Sequence, residues 1–288
     1  MNYRHAFHAG NHADVLKHSL LLALVAALKR KPSPIFVLDT HAGRGAYDLA
    51  GEEATRSGEA LAGVRRLLDA APRSEALRDY LDQLAAFDAS TPMPRYPGSP
   101  CLLQSVLAAD DRMACCELHP EEASALKAAL GRDSRVAVHQ RDGYEAIRAL
   151  LPPLQKRGLV LIDPPYEARE AEFDRVLLAL EQTLSRWATA CIAVWYPVKD
   201  AAAVRRFLRA AGKLPSRAAW DARLMIRTDS SVLRMNGSGM LLLNPPWQLD
   251  EVFRPALAEL AAILGEGGQG HATLAWLRRD GVHVDGSN

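Results

Sequence analysis

The segment Gly158-Leu-Val-Leu-Ile-Asp163-Pro164-Pro165-Tyr166 places one carboxylate, two prolines and an aromatic ring at the end of an apolar run. Proline lacks a backbone N–H and has a fixed φ, so the segment is stiff and its polar atoms are carbonyl oxygens and one carboxylate. Such acceptors hold both protons of an amino group and aim the nitrogen lone pair along one line. Tyr166 adds a flat face for a base taken out of its helix. N-methyl transfer requires this arrangement. A sulfonium methyl is already activated, so the protein supplies alignment and a negative charge to balance the one developing on nitrogen. On this reading Asp163, Pro164 and Tyr166 carry the catalysis.

A second motif of the same kind, Asn244-Pro245-Pro246-Trp247, also follows an apolar strand. It falls after the seventh predicted strand, beyond an antiparallel pair and away from the sheet centre. Asn244 is therefore assigned a wall or structural role.

Three further groups fit a nucleotide-like ligand. Phe36-Val-Leu-Asp39-Thr-His41-Ala-Gly43-Arg44-Gly45 runs from a hydrophobic strand into a glycine turn, where Gly43 lets the backbone approach a ligand. A tight strand–helix turn without a ligand has the same composition. Glu117 ends the next predicted strand, the place of an acid that bonds ribose hydroxyls in dinucleotide enzymes and in enzymes that bind S-adenosylmethionine. Asp142-Gly143 follows the third strand, where an acid can accept a bond from an adenine amino group. Ser99 and Pro100 read as the cap and first position of a helix, whose N-terminus would suit a carboxylate such as the cofactor's methionyl end. A nicotinamide-dependent oxidoreductase would use the same sheet, but its glycine fingerprint is incomplete here and Asp-Pro-Pro-Tyr has no role in hydride transfer.

The amino terminus combines His5, His8, His12 and His18 with Asp14. Gly10 and Asn11 interrupt the helix face that the histidines would share, and no carboxylate–histidine signature completes a metal set. No metal is expected. Residues 1–31 carry Arg4, Lys17, Lys29, Arg30 and Lys31 against Asp14 alone, with Tyr3 and Phe7 among them. Residues 1–18 read as a mobile arm that contacts RNA through Tyr3, Arg4 and Lys17; a solvated terminus is the alternative.

These residues need a scaffold. Across 288 residues, short β-type runs alternate with helical patterns, which predicts an α/β fold with a mostly parallel, seven-stranded sheet. The predicted strands are 35–39, 113–117, 136–139, 159–163, 191–195, 224–227 and 240–244, with the last two antiparallel. More than 70 residues separate the first two strands, far more than an ordinary crossover. Two apolar stripes, Leu61/Val64/Leu67/Leu68 and Leu77/Tyr80/Leu84/Phe87, predict a helical insertion over 48–95, with 1–47 and 96–288 forming the main domain. Thirty-five Lys+Arg against 34 Asp+Glu gives a net charge of +1, which excludes a nucleic-acid-coating protein but permits a local basic face. The longest apolar stretch, 19–28, is half of the roughly 20 residues that span a bilayer, and its basic cluster follows it. A cytoplasmic protein without a membrane segment is expected.

The chain closely resembles the RlmJ-type 23S rRNA (adenine(2030)-N6)-methyltransferases of bacteria. The resemblance rests on YRHAFHAGNHADVLKH from Tyr3, LDTHAGRG from Leu38, YPGSP from Tyr96, ELHP from Glu117, LIDPPYE from Leu161, WYPV from Trp195, SGMLLLNPPW from Ser238 and GHATLAW from Gly270. It implies a Rossmann-like fold, S-adenosylmethionine as methyl donor, and 23S rRNA as substrate before or during ribosome assembly, met by a monomer. By motif match His18, His41, Ser99, Glu117, Asp142 and Gly143 border the cofactor, Asp163 is catalytic, and Tyr3 acts on the adenine. Arg44 is larger than expected in the glycine loop and should point to solvent. Other amino-methyltransfer targets, such as DNA adenine, cytosine N4 or guanine N2, and a non-catalytic RNA-binding module are the rival readings.

Overall fold

The computed structural model describes residues 7–90, 95–167, 170–228, 235–280 and 282–284. Its centre is a sheet of nine strands: β1 (Ile35–Asp39), β2 (Arg112–Glu117), β3 (Val136–Gln140), β4 (Arg157–Ile162), β5 (Cys191–Val198), β6 (Ala219–Met225), β7 (Gly237–Leu243), β8 (His271–Arg279) and β9 (Val282–His283). They lie in the order β9-β8-β6-β7-β5-β4-β1-β2-β3. Strands β1 to β5 are mutually parallel, and β7 inserts antiparallel between β5 and β6. The expected α/β class and antiparallel pair are therefore present.

The expected count of seven strands is corrected to nine. Strand β8 pairs antiparallel with β6 and carries β9 on its outer side. Its residues alternate exposed and half-buried, because it lies near the edge of the sheet. The sixth strand also begins five residues earlier than expected. Asp221 in its middle disguises it as loop, yet Asp221 is fully buried, bonded by Arg223 at 2.9 Å and by the Tyr196 hydroxyl.

Strand β1 shows how the layers form. Ile35 and Val37 point into one hydrophobic cluster and Phe36 and Leu38 into the other, the two-residue alternation of a strand covered on both faces. Helices α1 (His12–Lys29), α5 (Ser99–Ser105), α6 (Pro120–Leu130) and α10 (Leu249–Leu264) contribute to the first cluster. Helices α7 (Gly143–Leu150), α8 (Glu170–Arg186) and α9 (Ala201–Gly212) contribute to the second.

Helix α1 is apolar on nearly all sides from Leu20 to Leu28 and is buried along most of its length, its first turns included. Asn11 caps it, accepting from the N–H groups of Ala13 and Asp14. This corrects the arm expected over residues 1–18: from His12 onward the chain is helix, and Val15, Leu16, Lys17 and His18 are buried because the helix packs under the sheet.

The insertion forms α2 (Glu52–Ser57), a wide turn at Leu61–Arg65, α3 (Arg66–Ala70) and α4 (Glu75–Ser90). Val64, Leu67, Leu77 and Tyr80 join the same cluster as α1 and α10, whereas Leu61 is 69% exposed. Glu259 of α10 accepts from the backbone N–H groups of Arg73 and Ser74 at 2.7 and 2.9 Å, tying down the start of α4. Among the described residues no helix is long and apolar enough to cross a membrane.

Candidate active site

The carboxyl ends of β1, β2, β3 and β4 open onto one cleft. Thr40, Gly43, Ser99, Glu117, Asp142 and Asp163 line it, together with His18, His41, Gly143 and Pro164. Residues from six separate sequence segments thus meet in one place.

At the β2 end, Glu117 accepts from Gly43 N–H at 3.0 Å and from His119 N–H at 2.8 Å. Its carboxylate fixes the glycine loop and keeps lone pairs for further donors. Arg44 does not point freely to solvent, as expected, but forks onto Glu122 at 2.8 and 3.0 Å, because the first turn of α6 presents that acid beside the loop. Asp142 caps α7, with Oδ1 accepting from Tyr144 and Glu145 N–H at 2.8 and 3.1 Å, while Oδ2 lies 3.5 Å from Arg175. Gly143 is required by contact: a Cβ there would lie 1.9 Å from the Thr40 carbonyl oxygen. That close approach brings the start of α7 against the end of β1.

Ser99 departs from its expected capping role. Gly98 is the N-cap of α5, and the Ser99 hydroxyl donates to Asp39 Oδ2 at 2.8 Å. Asp39 is wholly buried. Burial raises its pKa, against the Ser99 hydrogen bond and with help from the nearby Asp163 charge, to about 7. In the sequence Asp39 is only a strand end; the signal that marks it is an acid closing the four-residue apolar run Ile35–Leu38. His41 shares a hydrogen bond with Thr40 Oγ1 at 2.8 Å, and burial lowers its pKa to about 4, so its imidazole is neutral. His18 is fully buried on the cleft floor, where Nδ1 meets the Tyr96 hydroxyl at 2.8 Å and Tyr96 meets the Tyr80 hydroxyl at 2.8 Å.

Lys17 is the residue whose place the sequence reading misjudged. Counted there as a phosphate contact, it is 5% exposed, with Nζ 2.7 Å from Asp163 Oδ2 and 2.9 Å from Asp14 Oδ1. Burial works to lower its pKa, but the two carboxylates outweigh it and hold Lys17 protonated. The available signal was Asp14 and Lys17 three apart in an otherwise apolar helix. Its partner Asp163 lies 146 residues away.

Asp163, at the tip of β4, keeps a 15% exposed side chain beside Pro164 and Pro165 in the cleft. Tyr166 turns the other way. It has a positive φ of 43°, is 6% exposed, donates to the Trp195 carbonyl at 2.9 Å, and packs against Phe173 and Trp195. In this conformation its ring is core and offers no stacking face. Tyr144 stands in the cleft instead, edge-on to His41, its hydroxyl donating to Glu172 at 2.6 Å and Arg175 lying 4.5 Å over its ring. Tyr3 and Arg4 lie outside the described residues.

Asn244 has a positive φ of 50°, accepts from Arg217 N–H, and donates to the carbonyls of Ala188 and Ala190. Because β7 is antiparallel to β5, these bonds sit at the opposite edge of the sheet from Asp163. The second Pro-Pro motif is structural, and it leaves Trp247 78% exposed at that far edge.

The family model described as "Ribosomal RNA large subunit methyltransferase D, RlmJ" matches residues 32–278. The chain is 38% identical over 277 residues to Ribosomal RNA large subunit methyltransferase J of Escherichia coli (strain K12), covering 96% of this chain and 99% of that protein. It is 36% identical over 278 residues to the protein of the same name from Haemophilus influenzae, with the same coverage. A crystal structure of a Legionella pneumophila protein superimposes with a TM-score of 0.83 at 32% identity, covering 93% of this chain and 97% of that one.

Proposed function

Because the chain belongs to the RlmJ family of ribosomal RNA large subunit methyltransferases, we propose that it transfers the methyl group of S-adenosylmethionine to N6 of an adenine in 23S rRNA, the family site being adenine 2030. The observation that carries the chemistry is Asp163: a carboxylate at a strand tip, stiffened by two prolines and clamped by a buried cation.

The cleft's donor set fits the cofactor. Glu117, Glu122, Asp142, Asp163 and Glu172 outnumber Lys17 and Arg175 along it, which suits a ligand bearing a sulfonium and an ammonium. The backbone approach at Gly143 admits no side chain, and the neutral His41 adds no opposing charge. Glu117 would take the ribose hydroxyls; His18, His41, Gly43, Ser99, Asp142 and Gly143 would form the remaining walls. Bound there, the cofactor supplies an activated methyl group on sulfur.

The chain's own part is positioning. Lys17 holds Asp163 Oδ2, so the other carboxylate oxygen is left to accept an N–H of the target amine. Pro164 and Pro165 add no N–H that would compete for the amine's lone pair. Asp163 would balance the positive charge that grows on the accepting nitrogen as the methyl group leaves sulfur, the sulfur keeping the bonding pair as a neutral thioether, and water would take the released proton. Tyr3, Arg4 and the rest of the amino-terminal segment are assigned the substrate side.

Transfer from labelled S-adenosylmethionine to unmodified 23S rRNA, with duplex DNA in parallel and nucleoside mass spectrometry of the products, tests this. N6-methyladenosine from RNA alone is expected; another methylated nucleoside discards the target atom. Asp163→Ala should lower transfer on the order of 10²–10³-fold while cofactor binding stays near that of the parent, and the melting temperature should fall because buried Lys17 loses one of its two carboxylates. Loss of cofactor binding as well would remove Asp163 from its assigned role.

A further inference from the structure

A second groove lies between α8 and α9, lined by Glu181, Ser185, Arg206, Arg209, Lys213 and Leu214 among others. Both helices follow strands that end at the catalytic edge, so they descend away from it. The groove, beside Ser185, Ala188 and Leu214, sits toward the opposite edge, where β5 and β6 begin. Ala188, one of its walls, accepts a hydrogen bond from Asn244. It is therefore separate from the cleft that holds Asp163.

Its charge is one-sided. Arg206, Arg209 and Lys213 recur at i, i+3 and i+7 and so share one face of α9, all exposed, while Glu181 is the one acid in the groove. Among the described residues neither Arg209 nor Lys213 forms an ion pair, and Arg186 and Arg217 are exposed around the same end. In a protein of net charge +1 this is a local excess of cations beyond what solubility needs. At ~1.5 Å rise per residue, Arg206 to Lys213 spans ~10 Å, the length of about three phosphates at ~3.4 Å per stacked nucleotide. Guanidinium forks grip phosphate oxygens in pairs. The floor, Leu184 and Leu214, offers no competing anion.

We propose that the α8–α9 groove is a second RNA-binding site, which holds phosphates of the rRNA substrate through Arg206, Arg209 and Lys213, remote from the target adenine. The assignment rests on rRNA being the substrate, as above. A strand leaving the catalytic cleft meets this groove only if it is long enough to pass around the body of the protein. The site therefore contributes to affinity for long RNA and not to the chemical step.

The test is a triple charge reversal, Arg206→Glu/Arg209→Glu/Lys213→Glu, with the milder Arg209→Gln/Lys213→Gln as a second variant. Filter-retention binding of 23S rRNA at several salt concentrations measures affinity without catalysis, and steady-state transfer compares 23S rRNA with a short hairpin bearing the target adenine. The expected result is a tenfold or larger rise in Kd and KM for the long RNA, unchanged kcat, and an unchanged KM for the hairpin. Three lost single-strand contacts should also lower the slope of log Kd against log salt by about 2. Unchanged long-RNA affinity and slope overturn the proposal, as does an equal loss on both substrates. Poly-glutamate displacing rRNA from the parent more effectively than poly-uridylate would assign the groove to an acidic protein instead. If the parent itself transfers no methyl group to either RNA, the functional reading fails; the binding comparison still decides the groove.

Discussion

Asp39 is fully buried and lies near a second carboxylate, and the Ser99 hydroxyl, the Lys17 charge and a backbone N–H at 3.3 Å compensate it only in part. Its pKa is pushed up to about 7, so between the ordinary 3.8 and that value the folded protein holds a proton that the unfolded chain has released. Asp39 therefore favours folding at low pH, and the contribution is lost as pH rises through about 7. His12 and His41, both held near 4 by burial, act in the opposite sense: their contribution is present above 6.5 and lost as pH falls toward 4. An Asp39→Asn variant isolates the first effect, since the histidines are common to both proteins. Its melting temperature relative to the parent should improve from pH 4 to about pH 7 and level off above it; a difference that is constant with pH would show that Asp39 does not titrate there. At this scale the sequence was readable where a residue type has one use. Glu117 and Asp163 stand at strand tips as their positions imply. Lys17 and Tyr166 were not readable, since a lysine near the terminus and a tyrosine after two prolines look the same in solvent as in a core. What separates them is a partner 146 residues distant in one case and a left-handed backbone angle in the other.

At the level of elements, the insertion and the amino terminus are interlocked. A Cβ on Gly63 would lie 2.1 Å from the Gly10 carbonyl oxygen, and Val64 N–H donates to that oxygen at 2.8 Å. Glu59 accepts from Asn11 Nδ2 at 2.8 Å and meets His8 Nδ1 at 3.0 Å. The insertion thus presses on the turn from which α1 starts, and the first turns of α1 carry Asp14 and Lys17 toward Asp163. Gly63→Ala should cost about 1–3 kcal/mol in stability, as overpacking does, and lower methyl transfer at a temperature where the variant is still folded. Stability loss with full activity would show that the two ends of this contact are uncoupled. The parallel strands were legible because each is an apolar run between helical patterns. Strand β8 was missed because one neighbour on its outer side leaves its faces half-exposed, and β6 began early because Asp221 finds its partners in Tyr196, two strands away, and in Arg223 of its own strand.

Over the whole molecule, a net charge of +1 hides a division by edge. The carboxyl edge gathers Asp39, Glu117, Asp142, Asp163 and Glu172, whereas the lower ends of α8 and α9 gather arginine and lysine. Composition alone cannot express such a division, since it depends on which strand ends share an edge. The division also implies that the two edges respond differently to ionic strength, because only the exposed cations are screened.

The turn that places Asn244 against Ala188 has an optical consequence. Trp247 is 78% exposed on it, whereas Trp187 and Trp220 are buried and Trp195 and Trp276 partly so. The emission that iodide can quench should therefore come mainly from one indole, and that indole stands at the edge remote from the catalytic cleft. Adding 23S rRNA to the parent should protect this fraction, since bound polyanion both covers the ring and repels iodide. With Arg206, Arg209 and Lys213 reversed, the protection should disappear while product formation on a short hairpin continues. The fluorophore is native to the chain, so occupancy of the distal edge is observable in the unlabelled enzyme during turnover.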